Sequence, residues 1–142
     1  SLYVDRDPTE LATARHAASQ AFATAGVSVG DVDIAEVHDC FTITEVLMYE
    51  AMGMAEKGQG GALARSGHTA LDGKLPVNTG GGLIGFGHPV GATGVKQPLE
   101  IYRQMKGRCG DYQLSELPQL GMTMNMGGDD KTVVSLIMRA GS

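Results

Sequence analysis

The placement of glycine constrains this chain more than any other feature of its sequence. The 142 residues include 21 glycines, and most of them lie in three stretches, 53–67, 80–94 and 107–128. Glycine weakens helix and strand interiors but permits tight turns, so these stretches predict loops between regular elements. Hydrophobic residues make up 42% of the chain, which is enough for one buried core at this length. Because no Pro- or Ser-rich linker divides the sequence, we predict one domain over residues 1–142.

Charge and cysteine usage exclude several classes of partner. The formal net charge is −5 and no basic run is present, so neither nucleic acid nor an anionic membrane surface is an expected partner. No apolar stretch is long enough to span a bilayer. Cys40 and Cys109 lie far apart with no signal-peptide pattern before them, which favours reduced thiols in a cytosol-like compartment. The sequence ends in Ala-Gly-Ser, not in a peroxisomal tripeptide, so a cytoplasmic location is the default and a peroxisomal one stays open for a eukaryotic source.

The first helix has clear signals at both ends. Asp7 can cap it, Pro8 suits the first helical position and Glu10 the third, which together predict a capping box. Gly26 predicts an end after Ala25. Small apolar residues recur at helical spacing and predict close packing on a sheet: Leu11, Ala14, Ala18, Ala21, Phe22 and Ala25.

Two further helices follow from local signals. Val32–His38 is predicted as a short strand, and a helix is predicted to start at Thr42 behind it. Thr42 and Glu45 have capping-box spacing, and Phe41 and Val46 stand where a hydrophobic staple would form. A third helix is predicted over Val95–Lys106, with Gly107 at its end.

Two apolar-rich segments near the C-terminus predict a hairpin. Leu120–Met126 and Thr132–Met138 are the strands, and the Gly-Gly-Asp-Asp sequence between them, with Asp129 and Asp130, is typical of a turn. The order helix, strand, helix, strand, helix and hairpin predicts an α/β fold in which a mixed β-sheet is layered with helices.

One histidine lies in an unusually constrained loop. Residues 85–94 surround it with four glycines and a proline. Pro89 disfavours helical geometry at His88, while Gly87 and Gly91 permit conformations that a Cβ would forbid. Because the third helix follows directly, its N-terminal N–H groups favour negative charge near the imidazole. The loop alone fits two interpretations equally well: a histidine that binds a developing oxyanion or moves a proton, and a polar residue of a surface turn.

A second cluster of reactive residue types follows the first strand, in His38-Asp39-Cys40-Phe41. The carboxyl end of a strand is where open α/β sheets place ligands, and thiols near helix N-termini gain reactivity. Taken alone, Cys40 is better explained as a small buried hydrophobe, as most free cysteines are. Zinc is another alternative, but no regular ligand spacing joins His38, Asp39, Cys40 and His88, so no metal is predicted.

Together these segments resemble the thiolase superfamily. The Gly-His-Pro-x-Gly-x-Thr-Gly sequence around His88 is similar to the thiolase histidine loop, and His-Asp-Cys-Phe is similar to the sterol-carrier-protein-2-type thiolases, where most thiolases carry Asn-Glu-Ala-Phe. The resemblance covers nearly the whole chain and implies a thiolase-like C-terminal half-domain whose N-terminal domain is absent from it. The matching segments are Glu36–Phe41, Tyr49–Gly53, Gly58–Gly60, Asn78–Gly82 and Gly87–Pro89.

The resemblance also implies a role for each site residue. His88 would supply the oxyanion contact to the thioester carbonyl, and His38 would stand where other thiolases hold a catalytic water with Asn. Cys40 would be the acid/base for the α-carbon of the acetyl unit. The implied activity is that of an acyltransferase of the acetyl-CoA C-acyltransferase type, by thiolytic cleavage or Claisen condensation. The CoA thioester is then substrate, and no bound cofactor is expected.

The usual thiolase Cys-x-Gly segment is Asn125-Met126-Gly127 here. Loss of that cysteine agrees with the His-Asp-Cys-Phe subgroup, although the subgroup more often has His-Asn where this chain has Met124-Asn125.

Two other patterns are set aside. Gly80-x-Gly82-x-x-Gly85 has the letters of a dinucleotide fingerprint, but we predict that no helix begins there and that no dinucleotide binds. Cys109 lies in a polar connection and is interpreted as incidental.

The resemblance leaves the nucleophile unaccounted for, because thiolases carry their acylated cysteine in the N-terminal half. The chain is therefore expected to be inactive alone, as a piece of a longer thiolase, a subunit paired with an N-terminal partner, or a thiolase-like protein without acyl transfer. The rival functions are a thiolase-like aldolase of steroid acyl-CoA side chains and a non-catalytic docking domain. A homo-oligomer is also expected.

Overall fold

A mixed three-stranded sheet organises the structure, a computed structural model that describes residues 7–141. The strands, in their order across the sheet, are β1 (Ile34–Val37), β2 (Leu120–Gly127) and β3 (Thr132–Arg139). β1 is parallel to β2, and β2 is antiparallel to β3. The helices are α1 (Ala12–Ala25), α2 (Thr42–Ala51), α3 (Gly60–Arg65), α4 (Gly82–Phe86) and α5 (Thr93–Met105). The predicted α/β fold with a mixed sheet is confirmed.

Alternation along β1 divides the core between the two faces of the sheet. Ala35 and Val37 pack into the larger cluster, with the methionines of β2 and the small residues of α1. Ile34 points to the opposite face and packs against Ile101 of α5. α1 and α2 therefore lie on one face and α5 on the other. Among residues 7–141, no helix combines the length and apolarity needed to cross a membrane.

The first helix begins later than predicted, at Ala12, behind Leu11 as N-cap. Asp7 instead closes a turn, accepting hydrogen bonds from the Thr9 N–H at 2.8 Å and the Thr9 hydroxyl at 2.5 Å. The predicted capping box is therefore wrong. The predicted end is confirmed, since Gly26 adopts the left-handed conformation (φ 67°) after Ala25.

The start of α2 at Thr42 is confirmed, but its predicted cap is wrong. Phe41 is the N-cap and makes no side-chain cap hydrogen bond, and its ring is 72% exposed where a staple would be packed. Glu45 turns away from the helix start and accepts hydrogen bonds from the Tyr49 hydroxyl and the Asn78 amide.

The strands match the sequence predictions unevenly. The hairpin strands end one residue beyond their predicted limits, and Asp129 and Asp130 form the turn with φ of 58° and 60°. β1 is shorter than the predicted Val32–His38. The strand predicted between the second and third helices is reduced to a single bridge, Ala35 opposite Val77.

Candidate functional site

The turn at residues 38–41 carries the first half of the site. It leaves β1 at the edge where α2 begins, as predicted. His38 is fixed by its backbone, whose N–H donates to the Met124 carbonyl at 2.9 Å, and its side chain is only 5% exposed. Cys40 is half-buried, and its Sγ lies 3.8 Å from the Thr44 hydroxyl in the first turn of α2.

The loop between α4 and α5 carries the second half. Gly87 has φ of 81°, which supports the predicted use of its conformational freedom, whereas Gly91 keeps a negative φ. His88 Nδ1 lies 2.6 Å from the hydroxyl oxygen of Thr93, the first residue of α5. The prediction that this histidine stands at a helix N-terminus is therefore confirmed.

The two histidines and the cysteine meet in one open pocket of about 670 Å³. The imidazole rings of His38 and His88 are in edge contact, with centroids 4.9 Å apart and planes at 78°. Cys40 lines the same pocket, together with apolar side chains and the glycines at the end of β2. The structure thus brings together all three residues that the sequence singled out. Such a pocket holds two imidazoles and a thiol beside a helix N-terminus, groups suited to proton transfer and to contact with a developing negative charge.

Asn125 is a site residue that sequence reasoning did not assign. Its Oδ1 lies 3.2 Å from His38 Nδ1, and its Nδ2 leaves no room for a Cβ at Gly94. Burial lowers the pKa of His38, while the hydrogen bond to Asn125 acts in the opposite direction. His38 is therefore neutral at pH 7. The sequence signal that could have identified Asn125 is its position, since the resemblance puts the cysteine of the thiolase Cys-x-Gly segment there.

Asp39 anchors the short helix α4. Both carboxylate oxygens accept from the Leu83 N–H, at 3.1 and 3.2 Å. A Cβ at Gly82, where φ is 57°, would collide with this carboxylate. The prediction that no helix could begin in this glycine stretch is therefore wrong. A helix of five residues, α4, begins here because Asp39 caps it.

Comparison with known proteins identifies the family of the chain. The family described as Thiolase C-terminal domain-like matches residues 1–140. The chain belongs to the thiolase C-terminal domain family. It is 44% identical over 132 residues to an acetyl-CoA acetyltransferase of Methanothermobacter thermautotrophicus, covering 93% of the chain and 34% of that protein.

Other relatives of this thiolase domain show the same partial coverage. A benzoylsuccinyl-CoA thiolase subunit of Thauera aromatica is 38% identical, with 87% of the chain and 32% of that protein covered. Sterol carrier protein 2 of Rattus norvegicus is 40% identical, with 86% and 22% covered. The chain thus spans about a third or less of the length of these relatives.

A solved structure confirms the fold of this thiolase domain. The Ltp2-ChsH2(DUF35) aldolase superposes with a TM-score of 0.83 at 23% identity, covering 97% of the chain and 34% of that structure.

A buried ion pair that was not predicted lies outside the residues that line the pocket. Glu36 is 1% exposed, and its Oε2 lies 2.9 Å from Lys96 Nζ. Burial raises the pKa of Glu36 to about 7 despite this partner. Glu36 lies on β1 two residues before His38, which is the one sequence signal that could have found it.

The second cysteine lies away from the pocket. Cys109 is the residue before the 3-10 turn Gly110–Tyr112, and it is buried although the segment around it is polar. Burial raises the pKa of its thiol. Both cysteines are free, as predicted. Within residues 7–141, no three His, Cys, Asp or Glu side chains converge as metal ligands would.

Proposed function

We propose that the chain is the C-terminal catalytic part of a thiolase that cleaves or condenses acyl-CoA thioesters. One observation carries the proposal: His38, Cys40 and His88 line a single pocket in a chain of the thiolase family. The names of the relatives, an acetyltransferase and a thiolase subunit, support acyl transfer as the reaction class.

His88 is the oxyanion-binding group in this proposal. When the Thr93 hydroxyl donates to Nδ1 across 2.6 Å, the ring proton lies on Nε2, which leaves an N–H donor for a thioester oxygen. The N-terminus of α5 adds favourable potential for the negative charge that develops on this oxygen. The thioester oxygen gains charge when the α-carbon is deprotonated, so the contact strengthens along the reaction.

Cys40 is the acid/base in this proposal, and His38 holds a water. As a thiolate, Cys40 would take a proton from the α-carbon of an acetyl thioester in the condensing direction and return one in thiolysis. His38 presents a neutral imidazole beside His88, with Asn125 on its Nδ1, so its other nitrogen can bind a water. The water and His88 would then share the developing oxyanion.

The nucleophile is supplied by an N-terminal thiolase part, as a preceding domain or a separate subunit. An apolar surface beside the pocket supports such a partner. Val95, Leu99 and Tyr102 lie at helical spacing on α5 and are all exposed, and Ile84 and Val90 flank His88 with 87% and 85% exposure. Water-exposed apolar area of this kind is typical of an interface. A partner that covers it would bring its own residues next to His88.

Thiolysis of a short 3-ketoacyl-CoA, with the chain joined to its N-terminal thiolase part, tests the proposal. We expect His88→Ala and Cys40→Ala each to lower kcat about 10²-fold or more, as loss of an oxyanion donor or a general base does. His16→Ala, on the exposed side of α1, and Cys109→Ala, away from the pocket, are the matched controls and should keep activity.

Three results would contradict the proposal. Near-normal turnover in Cys40→Ala would put the base elsewhere. An N-terminal part without a reactive cysteine would exclude acyl transfer through an acyl-enzyme. Carbon–carbon cleavage that needs no free CoA would identify an aldolase instead.

A further inference from the structure

The loop that carries His88 is exposed to solvent over residues 87–91. Phe86, the last residue of α4, is the point at which this loop meets the body of the domain. Its ring is in edge contact with Tyr112, with centroids 6.4 Å apart, and it lies so close to Gly80 that a Cβ there would collide with it. The position of the Phe86 ring therefore sets where the loop leaves α4.

Lys96 contacts the same ring. Its Nζ lies 4.2 Å from the Phe86 ring centroid, within cation–π distance, and 2.9 Å from Glu36 Oε2. Phe86 precedes His88 by two residues, and Glu36 precedes His38 by two residues. One ammonium group thus joins the strand that delivers one imidazole to the loop that delivers the other.

We propose that Lys96 is a positioning residue that sets the separation of the His38 and His88 imidazoles. Its value to the reaction rests on the proposed function, but the positioning itself does not. With the Glu36 carboxylate on β1 and the Phe86 ring at the end of α4, Lys96 fixes the start of the loop relative to the sheet. The edge contact of the two imidazoles at 4.9 Å is the result.

The Glu36–Lys96 ion pair is better suited to positioning groups in the site than to stabilising the fold. Burying an ion pair costs desolvation that an apolar pair of similar volume avoids, so such pairs often add little net stability. The raised pKa of Glu36 reflects this cost. The second buried oxygen, Glu36 Oε1, has no hydrogen-bond partner among the described residues. The hydrogen bond from Lys96 to Oε2 is therefore the contact that orients the carboxylate.

Ring-specific NMR of the protein as its gene encodes it, with ¹⁵N-labelled histidine, tests the proposal. Lys96→Met keeps an unbranched side chain and removes the charge. We expect the ring resonances of His38 and His88 to shift, and kcat to fall about 10-fold or more with KM changed less than about 2-fold, because small misplacements of catalytic groups act mainly on kcat. Lys96→Arg keeps the charge and the reach to the ring, and should restore both readouts.

Phe86→Leu separates positioning from folding. It leaves the buried ion pair intact and removes only the ring, so we expect the His88 resonances to shift while those of His38 stay. The proposal is overturned if folded Lys96→Met has wild-type resonances for both rings. It is also overturned if Lys96→Met only lowers the melting temperature and Phe86→Leu leaves His88 unchanged. Failure of the proposed function can be told apart from failure of the positioning role. If the protein does not catalyse thiolysis, Lys96→Met should still shift the ring resonances of His38 and His88.

Discussion

Asp130 supplies the cap of α1 from the far end of the chain. Its carboxylate accepts from the Thr13 N–H and the Ala14 N–H, each at 2.9 Å, and the residue is only 4% exposed. A helix leaves its first N–H groups without intrahelical acceptors, and a side-chain cap is worth about 1 kcal/mol and up to about 2. This cap exceeds an ordinary one because it makes two buried bonds to a charged acceptor, and a hydrogen bond to a charged group contributes about 1.5 to 3 kcal/mol, so we expect its loss to cost about 2 to 3 kcal/mol.

Asp130→Gly is the cleanest perturbation of this cap. Glycine accepts the left-handed conformation at φ 60°, so the substitution removes the carboxylate without adding backbone strain. Asp130→Asn keeps one acceptor oxygen and should lose about 1 kcal/mol. Asp129→Asn, the same chemical change at the neighbouring turn residue with φ 58°, is the matched control for the turn itself.

Amide hydrogen exchange at Thr13 and Ala14 measures the effect where it arises. A loss of about 2 to 3 kcal/mol corresponds to exchange about 30-fold to more than 100-fold faster, since 1.4 kcal/mol is a factor of ten. The amides of the hairpin strands should change far less. Unchanged exchange at Thr13 and Ala14 in folded Asp130→Gly would refute the capping argument.

Three further predictions concern the site and its support. Because burial raises the pKa of Glu36 from 4.5 to about 7, the folded state binds this proton more tightly than the unfolded state, so the unfolding free energy should fall as pH rises through that window. Urea melts of Glu36→Gln should show a flatter pH profile. Gly82→Ala should lower stability by about 1 to 2 kcal/mol through its collision and its positive φ, whereas Gly91→Ala, with open space around it, should leave the melting temperature unchanged. NMR titration should place the pKa of His38 below 6.5, and lower still in Asn125→Ala, which removes the hydrogen bond that raises it.

Local signals predicted the parts of the fold that local interactions decide. The hairpin follows from two apolar runs and a turn of Gly and Asp. Helix α2 begins at the predicted Thr42, although the cap and the staple on which that prediction rested do not form. The start of α1 was wrong because the acceptor for its N–H groups is Asp130, 117 residues from Thr13. Helix α4 was missed for the same reason, since Asp39 caps it from a different loop. Capping by distant residues leaves no periodic or spacing signal in the sequence.

The residues of the candidate site were likewise predictable only where the signal is local in the sequence. His38, Cys40 and His88 were singled out because their residue types and flanking glycines carry chemistry in the sequence itself, and the structure places them in one pocket. Asn125 and Lys96 have no such signal. Asn125 acts through its contact with His38, and Lys96 acts through its contact with the Glu36 carboxylate, and neither contact can be predicted from the sequence.

The parallel pairing of β1 with β2 has a consequence for the time course of synthesis. His38 and Asn125 lie 87 residues apart, and at about 5 to 20 residues per second the ribosome needs roughly 4 to 17 s between them. Until β2 emerges, β1 has Val77 as its earlier partner, and the Met124 carbonyl that fixes the His38 backbone does not yet exist. Non-local parallel pairing is also intrinsically slow. The imidazole pair can therefore take its observed geometry only after β2 has been made, later than the segments that carry both histidines.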